Sequence, residues 1–178
     1  MKTLPILSAC SIALGLGLVA GGAWAQSATV AIQTDYLMTL EAPIDAPQVV
    51  GQRLIINIPA GGSVHGPKIN GTLIPPAGDW LIPMPDGSLR LDVRGTIKTD
   101  DGEIIFVEYN GIIAMTKDGG ERFNKGEAIG PQDAYFVTAP RFMTTSKKYA
   151  WLNQIQAVGK MVSVQAGKAV KYDLFAVH

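Results

Sequence analysis

The stretch Ser88-Leu89-Arg90-Leu91-Asp92-Val93-Arg94-Gly95-Thr96-Ile97-Lys98 alternates without a break. Leu89, Leu91, Val93, Gly95 and Ile97 fall on one face, and Ser88, Arg90, Asp92, Arg94, Thr96 and Lys98 on the other, which is the period of a half-buried β-strand. Working outward, Asp100-Asp101-Gly102 supplies a hairpin turn into the apolar run Ile104 to Val107. Upstream, Asn70-Gly71 lies between Lys68-Ile69 and Thr72-Leu73-Ile74, which predicts a two-residue hairpin whose central residues need positive φ. The same parity holds for Val30, Ile32, Tyr36, Met38 and Leu40, and for Val170, Tyr172, Leu174 and Ala176 near the end. Further strands are expected at 53–58, 80–84, 112–115, 135–138 and 161–165, separated by turn residues. The pattern predicts an all-β, antiparallel meander of eight to ten strands, closed into a single β-barrel of lipocalin-like general shape because closure removes unpaired edges.

Two segments are less regular. Lys117 to Pro131 is polar and glycine-rich and reads as a long loop with room for one helical turn around Glu121 to Lys125. Trp151, Leu152, Ile155 and Val158 are spaced for one helical face, yet Tyr149, Trp151, Asn153 and Ile155 equally share one strand face.

The first residues read as an address. Lys2 gives a positive start, Leu4 to Ala20 are uncharged and apolar, and Ala23-Trp24-Ala25 is a small-x-small cleavage pattern before Gln26. Residues 1–25 are thus expected to be a signal peptide and 26–178 a single barrel domain, periplasmic or secreted, with no membrane span after signal removal. Leu7-Ser8-Ala9-Cys10 has lipobox composition, but too little apolar sequence precedes it. Cys10 is the only cysteine of the 178 residues, so the exported domain would carry no disulfide and no thiolate.

Composition removes other classes. Fifteen basic residues balance fifteen acidic ones without a basic run, which argues against a nucleic-acid partner. Hydrophobic residues make up 47% and charged ones 17%, which supplies a core and argues against disorder. Only His65 and His178 could offer imidazoles, so no metal site is expected, and no cofactor motif is present. Gly61 to Gly66 resembles a phosphate loop, but Pro67 follows where a helix would be needed. The Gly-x-Ser-x-Gly elbow of serine hydrolases is absent. Asp92 and Arg94 share a strand face, either as an exposed ion pair on the outer wall or as polar groups lining the barrel interior.

At Gly66-Pro67, Gly78-Asp79-Trp80, Asp86-Gly87, Leu91-Asp92-Val93-Arg94, Thr99-Asp100-Asp101-Gly102, Pro140-Arg141-Phe142 and Tyr149-Ala150-Trp151-Leu152-Asn153, the chain resembles the bacterial and fungal family known as domain of unknown function 3237. The resemblance runs from about Tyr36 to Val177. It implies a barrel-like all-β fold and a strand over Tyr149 to Val158, and it implies no general reaction. The chain departs from the family pattern at His65, where an acidic or polar residue is usual, at Asn110-Gly111, where Arg-Gly is common, and at Met143, where Glu usually follows Pro-Arg-Phe. The export signal is a further departure.

Three functions follow. The first is an exported barrel that binds a small molecule, with Trp80, Trp151 and Tyr109 as apolar walls and Asp79, Arg94, Arg141 and Asn153 as polar anchors. The second is a cofactor-independent lyase or isomerase in the same cavity, moving a proton with Asp79 or His65 and steadying charge with Arg94 or Arg141. The third is a structural or interaction domain in which these side chains stabilise the fold.

Overall fold

The structure, a computed structural model, describes residues 29–178, and Ile32–His178 form one compact unit. The expected signal peptide lies outside the described residues. Strands run over Thr34–Pro43 (β1), Gln48–Val50 (β2), Arg53–Asn57 (β3), Gly62–His65 (β4), Asn70–Pro83 (β5), Leu89–Thr99 (β6), Ile104–Met115 (β7), Ala134–Met143 (β8), Ala157–Gln165 (β9) and Ala169–Val177 (β10), with a helix α1 at Lys117–Asn124 and a 3-10 turn at Ala150–Gln154. Every strand pairing between these elements is antiparallel. β10 returns to pair with β1, and β5 pairs with β6, so β1, β4, β5, β6, β7, β8, β9 and β10 follow one another around a closed eight-stranded ring. The meander is interrupted only by the β2–β3 hairpin, which is inserted between β1 and β4 and joins the ring through β3 and the second half of β5. Among the described residues no helix is long and apolar enough to cross a membrane.

Alternation decides what faces inward. In β6, Leu91, Val93, Gly95 and Ile97 are buried while Arg94 and Lys98 are exposed, as the period of two requires. β5 is long enough to serve two partners: 70–73 pair with β4 and 78–81 with β3. Its ladder to β6 shifts between Ile74 and Gly78, where Pro75 and Pro76 have no N–H to donate.

The two ends of the barrel differ. One is packed solid, with Met38, Val64, Ile69, Ile97, Ile105 and Leu152 almost wholly buried. The 3-10 turn lies in the connection between β8 and β9 and puts Leu152 into this core, so the strand implied for Tyr149 to Val158 is corrected. The helical spacing of Trp151 and Leu152 was the better guide for 150–154, and β9 starts only at Ala157. Tyr149 and Thr99 both donate to Asp101 Oδ1, at 3.0 and 2.6 Å, and Lys148 pairs with Asp101, which ties this connection to the β6–β7 hairpin.

Gly102 adopts φ 89° in that hairpin, as expected of Asp-Asp-Gly. The Asn70-Gly71 hairpin is a second correction. Both residues are inside β5, the turn is Gly66 to Ile69, and Gly71 is not among the positive-φ glycines. Gly71 serves close approach instead: a Cβ there would run into the Lys98 carbonyl oxygen and stand 2.8 Å from Thr99 Cα. The long loop after β7 is also more regular than its composition suggests, since α1 begins directly at Lys117 with Thr116 Oγ1 accepting the Gly119 N–H at 3.0 Å.

Candidate functional site

At the other end the ring is not filled. A cavity of about 130 Å³ is lined by Leu54, Leu81, Leu89, Val93, Ile113 and other apolar groups, with exposed Asp45 at its edge and Asp79, Tyr109 and Tyr172 as the polar side chains inside the barrel. Each of the three is placed by strand alternation. Asp79 and Leu81 turn inward from β5, Tyr109 shares the inward face of β7 with Val107 and Ile113, and Tyr172 lies between inward Val170 and Leu174 on β10. Tyr172 is met edge-on by Tyr109 and Phe136, with ring centroids 6.0 and 5.3 Å away.

Asp79 is only 6% exposed, and its Oδ1 accepts one bond, from the Asp92 backbone N–H at 3.0 Å. Burial raises its pKa from 3.8 to about 6; the Asp92 N–H pulls the other way, and the Asp92 charge adds to the rise. Burial also pushes both phenols up, and the Asp79 charge adds to the effect, so Tyr109 and Tyr172 stay neutral. The cavity therefore offers one carboxyl poised near neutrality and two phenolic groups in an apolar wall. It can hold a compact apolar body by burial and one polar group by hydrogen bonding.

The other candidates from the sequence do not gather here. Asp79 and Trp80 are adjacent in one strand, so they point to opposite faces. Trp80 is on the outer wall, where the Arg94 guanidinium stands 5.7 Å from its ring. Asp92 and Arg94 pair at 2.9 Å with about half of each side chain exposed, so the interior placement of that pair is corrected: the apolar face of β6 is the inner one. Arg141 pairs with Glu108 at 3.1 Å on the outside of β8. Asn153 bonds both the N–H and the carbonyl of Thr144, each at 2.9 Å. Trp151 is half-buried beneath Lys68. His65 is exposed on β4, away from the cavity. Of the seven ligand-binding candidates, only Asp79 and Tyr109 meet in this cavity.

Sequence reasoning missed Tyr172 as a partner, although its place among inward-facing Val170, Leu174 and Ala176 marked a phenol directed into the barrel. Among the described residues no group of three or more His, Cys, Asp or Glu side chains is gathered that could hold a metal.

Comparison with known proteins adds the family. A model for the protein family of unknown function DUF3237 matches residues 32–177, the whole barrel. The chain belongs to this family. A UPF0311 protein of Clostridium acetobutylicum is 38% identical over 117 residues, which is 65% of this chain and 73% of the relative. The crystal structure of a conserved protein of unknown function from Rhodopseudomonas palustris matches with a TM-score of 0.77 at 31% identity, covering 84% of this chain and all of the other. A β-barrel-like protein from Acinetobacter baumannii matches with a TM-score of 0.71 at 30% identity, covering 86% of this chain and all of that one. Both structures match this DUF3237 chain over more than four fifths of its length, so its barrel is shared with them.

Proposed function

We propose that this DUF3237 member is an exported protein that binds a small organic molecule inside the barrel, with Asp79 as its polar anchor. The observation that carries the reading is the position of Asp79. A carboxyl group kept inside an apolar wall with a single hydrogen bond is unfavourable for folding, and a site that exchanges such a group with a ligand gives that cost a purpose. Tyr109 and Tyr172 add neutral polar contacts, and the aliphatic wall supplies the area. Native mass spectrometry of the purified protein after exposure to extract of the producing cells tests this. A defined mass increment carried by the parent and lost in Asp79→Asn is expected; an increment indifferent to Asp79, or none, rejects the assignment.

The pKa of Asp79 favours one further reading, a cofactor-independent lyase or isomerase in which the same carboxyl moves a proton. A group titrating at about 6 can both take and return a proton near neutral pH. Turnover of the captured compound with an acid limb near pH 6, and exchange of solvent deuterium into it, would distinguish catalysis from binding alone.

A further inference from the structure

The cavity opens into a second space. An outer groove of about 720 Å³ lies between α1 and the β2–β3 side of the mouth, and its wall includes Lys117, Glu121 and Asn124. Leu54, Leu89, Ile113, Met115 and Phe123 line both the inner cavity and the groove, so the two spaces meet at one apolar collar. The inner space of about 130 Å³ is of the size that admits one ring, since an apolar cavity of roughly 150 Å³ takes up benzene. Anything larger that reaches Asp79 must leave through the collar and end among exposed polar side chains of α1. Those side chains carry both signs of charge, which does not select a strongly ionic end group.

Resting on the reading of the cavity as a binding site, we propose that the ligand is an elongated amphiphile. A single hydroxyl-bearing ring sits at Asp79, an apolar neck passes Phe123, and an uncharged polar end rests on the rim formed by Lys117, Glu121 and Asn124. At neutral pH Asp79 is mostly ionised and accepts only, so the head group must donate. Phe123 belongs to α1 and is partly buried against the core, which makes it the residue that sets how thick the neck can be.

Calorimetric titration with phenol, 4-propylphenol and 4-hexylphenol tests the arrangement. Burial of each methylene in the collar is worth roughly a fourfold gain in affinity, so 4-hexylphenol should bind at least about tenfold more tightly than phenol. In Phe123→Ala this gain should shrink about threefold or more, a larger loss than phenol itself suffers; Phe123→Leu should recover most of it, and Asp79→Leu should weaken all three. Equal affinity across the series, or a chain-length gain that ignores Phe123, would overturn the two-compartment ligand and leave cavity binding intact. Failure of every phenol would likewise overturn it, and only the additional loss of the captured compound from cell extract would remove the binding reading beneath it.

Discussion

Asp79 is stabilised less well in the folded protein than in water, and the sign of that effect is measurable. Its folded pKa of about 6 exceeds the ordinary 3.8, so between these values the native state holds a proton that the unfolded state has lost. Stability therefore falls as pH rises through that window, and the cost is complete above pH 6. Two pKa units correspond to about 3 kcal/mol, an upper figure for this contribution. Asp79→Asn keeps an oxygen for the Asp92 N–H and removes the charge. Its melting temperature should exceed the parent's by on the order of 5 °C at pH 7.5 and match it near pH 4; a variant that melts lower at both would show the carboxylate to be structural. Gly71 makes the opposite case, a residue with no chemistry whose replacement should be costly. Gly71→Val presses a side chain against the Lys98 carbonyl and Thr99, and should lose about 1–3 kcal/mol in denaturant unfolding. The sequence marked this glycine correctly as constrained but assigned the constraint to a turn, because close approach of a neighbouring strand leaves no local trace.

Two loops illustrate how elements are held. Around α1, Arg122 bonds Glu127 at 3.1 Å, Asp133 at 2.9 Å and the Ala128 carbonyl at 3.1 Å, so one side chain gathers the loop 117–133. Arg122→Ala should leave the barrel melting nearly unchanged while amide hydrogen exchange in 117–131 accelerates about tenfold or more; unchanged exchange would mean the loop is held by packing. At the packed end, the hydrogen bond from Lys148, followed by those from Thr99 and Tyr149, lowers Asp101 to about 2. That stabilisation is present above about pH 4 and is lost as pH falls through 2. Asp101→Asn should melt below the parent at pH 7, with the gap closing as the solution is acidified toward pH 2; a gap that persists there would point to shape rather than charge. Such latches were not legible in advance, because Asp101 and Lys148 are far apart in sequence. The strands were: alternation from Ser88 to Lys98 identified the element, although it left open whether the face of Asp92 and Arg94 turned outward or into the barrel. Alternation also held the answer to the site, since it forbids Asp79 and Trp80 from sharing a pocket, but residue type drew both into one list. At 150–154 the two periods were equally good, and the core's need for Leu152 decided in favour of the 3-10 turn.

Across the whole molecule the pattern of two gave the all-β barrel, whereas the choice of which end stays open depended on the sizes of many inward side chains at once, information that no short motif carries. The proposal of export adds its own expectation: intact-mass measurement of the protein from the producing cells should give a chain beginning at Gln26, and a chain that retains Lys2 would count against it. The pairing of β1 with β10, from Thr34 opposite Val177 to Pro43 opposite Ala169, bears on how such a chain is made. During synthesis β1 can pair early with β4, but its other neighbour is the last of the eight ring strands to emerge, so the ring cannot shut until β10 leaves the ribosome. Contacts spanning nearly the full chain also make closure slow. A nascent polypeptide of this design keeps its ring unclosed for as long as it is incomplete, which leaves the fold unfinished while an exported chain still has a translocation channel to pass.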